Sequence, residues 1–168
     1  MNKKNLGTVL YCGRKSCKFS VKIKKFIKTY SNKFYYLESR RMGEKIPKKF
    51  YKPKYDYIFC FRSFYIIRKK LLQKVKKASI NFHPSPPEFR GAGGINYTLY
   101  GKLNFFGATA HLMSEKIDYG KILDVRKFKI NKKDNIEKIL HKTYKISTNQ
   151  IFFVVNELLK NQNNLLKL

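Results

Sequence analysis

The chain has 168 residues, 43% of them hydrophobic and 15% aromatic, which suits one domain with its own core and argues against intrinsic disorder. Its three cysteines, Cys12, Cys17 and Cys60, are odd in number and scattered, which argues against a disulfide framework and against a zinc site. Lysine and arginine number 38 against 10 acidic residues, a net charge of +28, the kind of excess that accompanies polyanion binding.

The lysines are spread along the chain among many Asn, Ile, Phe and Tyr residues. All of these have A/T-rich codons, so base composition is a sufficient source for much of the excess, and an anionic small molecule fits the charge as well as a nucleic acid does. No stretch approaches the ~18 apolar residues of a membrane span. The N-terminal MNKKNLGTVLYCG has an apolar run too short for a secretory signal. These features predict a cytoplasmic protein without a membrane partner.

In chain order, Gly7–Gly13 is a short apolar run ending in glycine and predicts a buried first strand. Phe19, Ile23, Phe26, Ile27 and Tyr30 recur at helical spacing with lysines between them. Phe34–Leu37 predicts a second strand, Glu38–Pro53 a polar loop and Tyr55–Phe61 a third strand. Ile67, Leu71, Leu72 and Val75 mark a second helix, Ala78–His83 a fourth strand and Ile95–Tyr100 a short helix. Gly107–Met113 and Ile122–Phe128 read as further strands. Asp134 and Glu137 have the spacing of a capping box, followed by a long apolar-faced helix and a tail, NQNNLLKL, expected to fray. With no repeat and no linker, residues 1–168 are expected to form a single catalytic domain. Alternating strands and helices predict an α/β fold with a mostly parallel sheet flanked by helices. Ligands in such sheets bind at the carboxyl ends of strands, here the residues after Phe61, His83 and Met113.

The fourth strand ends in NFHPSPPEFRGAGG. Asn81 and His83, two apart in a strand, project to one face. An amide can donate to a developing oxyanion, and an imidazole can move a proton or donate when charged. The plainer reading is a buried Asn and His tied into the next turn. Pro84, Pro86 and Pro87 stiffen the chain leaving His83, and Gly91, Gly93 and Gly94 allow close backbone approach. As a phosphate loop, GAGG is weak. The best carboxylate to orient His83 is Asp118 in the turn IDYG, with Asp124 inside a strand and Asp134 at a cap ranking lower. His111 either packs in the core or lines the same cleft, and His141 is expected to be solvated. No tight ligand spacing supports a metal site.

The segments NFHPSPPEFRG and GATAHLMSEKIDYGKIL, in this order, resemble the folate-dependent formyltransferase family, over about Tyr55 to Phe128. The resemblance implies a Rossmann-like domain that moves a formyl group from N10-formyltetrahydrofolate to an amine. It places the catalytic set on Asn81, His83 and Asp118. It places donor contacts on Phe61, Arg62, Ser63, Ile66 and Ile67 and on Ser114, Glu115, Lys116 and Ile117, largely through backbone groups. Pro84, Ser85, Arg90, Gly91 and His111 are then expected to face the acceptor. HPSPPEFRG is most similar to the sugar-nucleotide branch, whose acceptor is a nucleotide-linked aminodeoxyhexose. The chain is also expected to lack the second domain of methionyl-tRNA formyltransferases. The alternatives are a glycinamide ribonucleotide formyltransferase of purine biosynthesis and a basic, non-catalytic module that binds nucleic acid. Retention of all three catalytic types argues against the last. FCFRSFYII is more basic and aromatic than the usual donor loop, the stretch between strands two and three is short, and no C-terminal hairpin is evident for a dimer. A monomer or a homodimer both fit.

Overall fold

In the computed structural model, which describes residues 5–101 and 104–160, one six-stranded sheet carries the molecule. Strands β1 (Thr8–Arg14), β2 (Lys33–Ser39), β3 (Tyr55–Phe61), β4 (Val75–His83), β5 (Phe105–Leu112) and β6 (Ile122–Lys129) lie in the order β2-β1-β3-β4-β5-β6. The first four run parallel, and β5 and β6 are antiparallel to their neighbours. This is a Rossmann-like arrangement. The chain passes from β1 outward to β2 and returns to β3 on the other side of β1, so the strand order reverses between β1 and β3. Such a switch point opens a crevice at the strands' carboxyl ends.

β1 and β3 are buried on both faces, as the apolar runs of a parallel sheet require. Alternation divides the core into two layers. Val9, Tyr11, Tyr57, Phe59, Ile80 and Phe82 face helices α1 (Lys18–Thr29) and α4 (Ile136–Lys160). Leu10, Cys12, Ile58 and Cys60 face the opposite layer with Phe50, Ile67 and Leu71. All three cysteines are free and buried. Among the described residues no helix is long and apolar enough to cross a membrane.

Two local expectations change. The helix expected from Ile67 to Val75 is a single turn, α2 (Lys69–Leu72), and Val75 already belongs to β4. Sheet pairing claims this segment: Tyr55 stands opposite Val75, and the Tyr55 N–H donates to the Lys74 carbonyl at 2.8 Å. At the start of α4 the cap is Asn135, whose Oδ1 accepts the Lys138 N–H at 2.9 Å. Asp134 instead accepts the Asn131 N–H at 3.0 Å and Lys142 Nζ at 2.6 Å, so the cap lies one residue beyond the expected Asp134. The expected loop after β2 contains a 3₁₀ turn, Lys48–Tyr51, and the short helix beyond the glycine loop is α3 (Gly94–Tyr100). The tail NQNNLLKL lies outside the described residues.

Candidate functional site

Sheet register assembles the first pair of polar groups. Across β4 and β5, Asn81 stands opposite His111, and across β3 and β4 it stands opposite Cys60. His83 ends β4 two residues on and shares Asn81's face. The chain then turns through the prolines, with the Phe89 N–H on the Pro86 carbonyl at 3.0 Å. That turn sets the Phe89 carbonyl 2.9 Å from His83 Nε2. A carbonyl only accepts, so His83 carries a hydrogen on Nε2 and directs Nδ1 toward Asp118, 3.5 Å from its Oδ2.

Asp118 sits in the turn between β5 and β6 with φ of 56°, a left-handed conformation that a short polar side chain tolerates better than most. The turn is anchored at its base, where the Leu112 N–H donates to the Lys121 carbonyl at 2.8 Å. Gly120 fits there because a Cβ would overlap the Leu112 carbonyl oxygen and lie 2.6 Å from its carbon.

The Asp118 carboxylate gathers donors from three segments. Oδ1 accepts from Asn81 Nδ2 at 3.0 Å, and Oδ2 accepts the Gly91 N–H at 2.9 Å. His111 Nδ1 donates to the Leu112 carbonyl at 2.8 Å, so a neutral His111 offers a lone pair on Nε2 to Asn81 Nδ2 at 3.2 Å. Once protonated there, it donates to Asp118 Oδ1, also 3.2 Å away. Burial pushes the Asp118 carboxyl up, but the His111 hydrogen bond, the charge of His83 and the Gly91 N–H outweigh it and hold the group down at about 2. It is therefore an anion at neutral pH, with a side chain only 8% exposed beside a His83 side chain 12% exposed.

The cluster opens on a cleft of about 550 Å³, within the size range of small-molecule sites. Asn81, His83, Pro84, Ser85, Gly91, His111 and Asp118 line it, so the structure brings these sequence candidates together. On one flank are Ser63, Ile66, Ile67, Met113, Ser114, Glu115 and Ile117. Arg62 also lines it, stacked on Tyr144, as does Arg14. Three expected residues are placed differently. The Phe61 side chain is fully buried in the core against Tyr144. Lys116 and Arg90 both lie over the Tyr119 ring, at 3.6 and 3.7 Å from its centroid. Arg90 instead borders a cavity of about 30 Å³ behind the cluster, shared with His83, Thr109 and His111.

His111 resolves both of its readings at once: it is 3% exposed and also lines the cleft. His141 is exposed, with its ring against Phe19. Asp124 is tied to Arg126 and Gln150. Sequence reasoning missed Arg14, although the same rule about carboxyl ends of strands applies to β1. It also missed Tyr144, for which a position in the middle of α4 gives no signal.

The sequence profile described as formyl transferase matches residues 9–155. Over 92 residues, 54% of the chain, it is 36% identical to the bifunctional polymyxin resistance protein ArnA of Wigglesworthia glossinidia brevipalpis. Over 96 residues, 56% of the chain, it is 33% identical to the methionyl-tRNA formyltransferase of Wolbachia pipientis subsp. Culex pipiens. These matches span 14% and 32% of the two relatives' own lengths. In fold it is similar to an N-formyltransferase from Helicobacter canadensis solved with folinic acid and dTDP-3-aminofucose. The TM-score is 0.75 at 16% identity, over 92% of this chain and 64% of the other.

Proposed function

Because the chain belongs to the formyl transferase family, we propose that it transfers a formyl group from N10-formyltetrahydrofolate to the amine of a nucleotide-linked amino sugar. The observation that carries this reading is the convergence of Asn81 and His83 from β4 on Asp118 from a separate turn, at one end of an open cleft.

The cleft suits the donor. Its flank of Ile66, Ile67, Met113 and Ile117 offers an apolar surface for a flat ring, and Ser63, Ser114 and Glu115 line the same space, where polar groups can meet its edge. When bound, the folate supplies an activated formyl carbon. The chain's residues do the rest. Asn81 Nδ2 and His83 Nε2 are donors held on internal acceptors: Asp118 and His111 for the first, the Phe89 carbonyl for the second. Redirected to the formyl oxygen, they stabilise the negative charge that grows there as the amine attacks, an effect worth ~3–4 kcal/mol per donor. In the other neutral tautomer, with its hydrogen on Nδ1 toward Asp118, His83 instead accepts the amine proton at Nε2. When it takes that proton His83 becomes an imidazolium, and the anionic Asp118 beside Nδ1 supports the charge. The prolines after His83 hold the imidazole's exit path rigid, so little reorganisation is needed.

The test is to offer a panel of nucleotide-linked amino sugars with N10-formyltetrahydrofolate and read by mass the gain of CO. Formylation of one panel member, lost on His83→Ala, supports the reading. Net charge +28 and the likeness to a methionyl-tRNA formyltransferase favour a second reading, in which the amine belongs to an aminoacyl-tRNA. Including methionyl-tRNA in the panel separates the two.

A further inference from the structure

The two cations of the cleft stand at the switch point of the sheet. Arg14 is the last residue of β1, and Arg62 directly follows β3. The last registered pair of those strands is Cys12 with Cys60, and each arginine lies two residues beyond its partner in that pair. Continuing that register sets the two backbone positions opposite each other on adjacent strands, ~5 Å apart in the sheet.

In a chain this basic, a cation without a carboxylate is ordinary, so charge alone assigns nothing. Three observations single out this pair. First, among the described residues Arg14 and Arg62 are the lysines or arginines that line the cleft; the other cations lie elsewhere. Second, both guanidiniums are held flat on aromatic rings, Arg14 over Phe64 at 4.1 Å and Arg62 over Tyr144 at 3.8 Å. Stacking fixes the plane of the fork while leaving its edge N–H groups to bind. Among the described residues, the polar contact of these heads is Arg62 Nη1 to Cys17 Sγ at 3.2 Å, and sulfur is a weak acceptor. Third, Arg62 has φ of 54°. A long side chain in the left-handed region is disfavoured, and such outliers concentrate at ligand sites. The conformation breaks the strand's alternation and turns the side chain toward Tyr144.

We propose that Arg14 and Arg62 form an anion clamp for the phosphate groups of the acceptor, an inference that rests on the acceptor class named above. The clamp moves Arg62 from the donor contacts, where the family resemblance put it, to the acceptor side. Across the sheet the order is β1, β3, β4, so Arg62 and Arg14 stand one and two strand spacings from Asn81 and His83, ~5 and ~10 Å. A phosphate held there leaves room for a sugar ring between it and the reacting amine. The apolar donor flank of Ile66, Ile67 and Met113 lies beside the same cluster. Paired guanidiniums suit phosphate oxygens through two-pronged hydrogen bonds. The competing source of the same chemistry is the glutamate tail of the folate, whose carboxylates also need cations.

The experiment is calorimetric titration of the whole chain with inorganic pyrophosphate, for the unsubstituted protein, Arg14→Gln, Arg62→Gln, Arg62→Lys and the double glutamine variant. The expected result is at least a tenfold loss of pyrophosphate affinity in the double variant and an intermediate loss in each single one. Arg62→Lys keeps the charge but not the fork and should also lose affinity. A second arm titrates mono- and pentaglutamyl tetrahydrofolate, whose affinities should be the same in all variants. Equal pyrophosphate affinity across the variants overturns the clamp, as does a loss that falls only on the pentaglutamyl folate. Thermal melts identify a variant that has unfolded, and the remaining single variants then carry the comparison. If the unsubstituted protein binds no tetrahydrofolate, the proposed function fails. If it binds tetrahydrofolate while pyrophosphate ignores both arginines, only the clamp fails.

Discussion

Replacing Asp118 with asparagine keeps the shape of the side chain and removes its charge, which isolates the electrostatic role of the carboxylate. The native group accepts at both oxygens, from Asn81 Nδ2 at 3.0 Å and from the Gly91 N–H at 2.9 Å. An amide has only one acceptor, so in either orientation its NH₂ faces one of those donors. The carboxyl is held at about 2 against an ordinary 3.8, which corresponds to about 2 kcal/mol of favourable interaction with its surroundings. Losing that and setting two donors face to face should destabilise the fold by about 2–3 kcal/mol, or roughly 5–10 °C in Tm for a chain of this size. If the imidazolium of His83 loses most of the same support as the amine attacks, kcat falls by about 30-fold or more. The assays are a thermal melt and single-turnover formyl transfer at saturating donor and acceptor. A variant with native Tm and native kcat would show that the carboxylate neither anchors the cluster nor supports His83, and the mechanism would lose its third member.

The remaining expectations concern the same cleft. Asn81→Ala removes one donor to the formyl oxygen and should lower kcat by roughly 100-fold or more while the fold survives; full retention of activity would remove Asn81 from the site. Stability should decline in acid. The folded carboxyl of Asp118 lies below its ordinary 3.8, so its contribution is complete above about pH 4 and disappears as pH falls through about 2; Asp118→Asn should show a flatter Tm between those limits. Gly120→Ala drives a Cβ into the Leu112 carbonyl, where both sides of the clash are backbone, and should cost about 3 kcal/mol along with most of the activity. Ile66→Asp alters a half-exposed side chain on the donor flank and should raise the donor KM by about tenfold with little change in Tm.

How much of this was legible depends on how local each cause is. β1 and β3 were readable because burial on both faces of a parallel strand leaves a bare apolar run, such as TVLYCG or YIFCF. The helix α1 was readable from one apolar stripe between lysines. The segment from Ile67 to Val75 was not, because the spacings that close one helical turn also begin a strand, and only Tyr55 across the sheet decides between them. Within the site, Asn81 and His83 follow from alternation alone. The pairing of Asn81 with His111 depends on register between antiparallel strands 30 residues apart, and the side chain of Asp118 reaches both through a left-handed turn. Arg90 and Lys116 read as cleft residues in sequence, yet Tyr119 offers both a π-face and draws them away.

The scarcity of acid in this chain sharpens the argument for Asp118. Only four of the ten acidic residues are aspartates, and none of the four is idle. Asp56 accepts the Thr8 N–H at 2.8 Å and ties β3 to the start of β1. Asp124 accepts from the buried Gln150 at 2.8 Å and fixes α4 on β6. Asp134 accepts the Asn131 N–H at 3.0 Å ahead of α4. Several glutamates, by contrast, sit in exposed pairs with lysine, as Glu115 does with Lys69 and Glu157 with Lys160, and pairs of that kind contribute little. A drift toward lysine can erase a surface acid at small cost, but not one that satisfies a buried donor. Asp56, Asp124 and Asp134 each join two elements of the scaffold. Asp118 alone spends its acceptors on Asn81 and a glycine loop beside two imidazoles at an open cleft. A purely structural carboxylate has no need of two titratable rings, and a charged one at the rim of a 550 Å³ space is expensive to keep without chemistry to perform there.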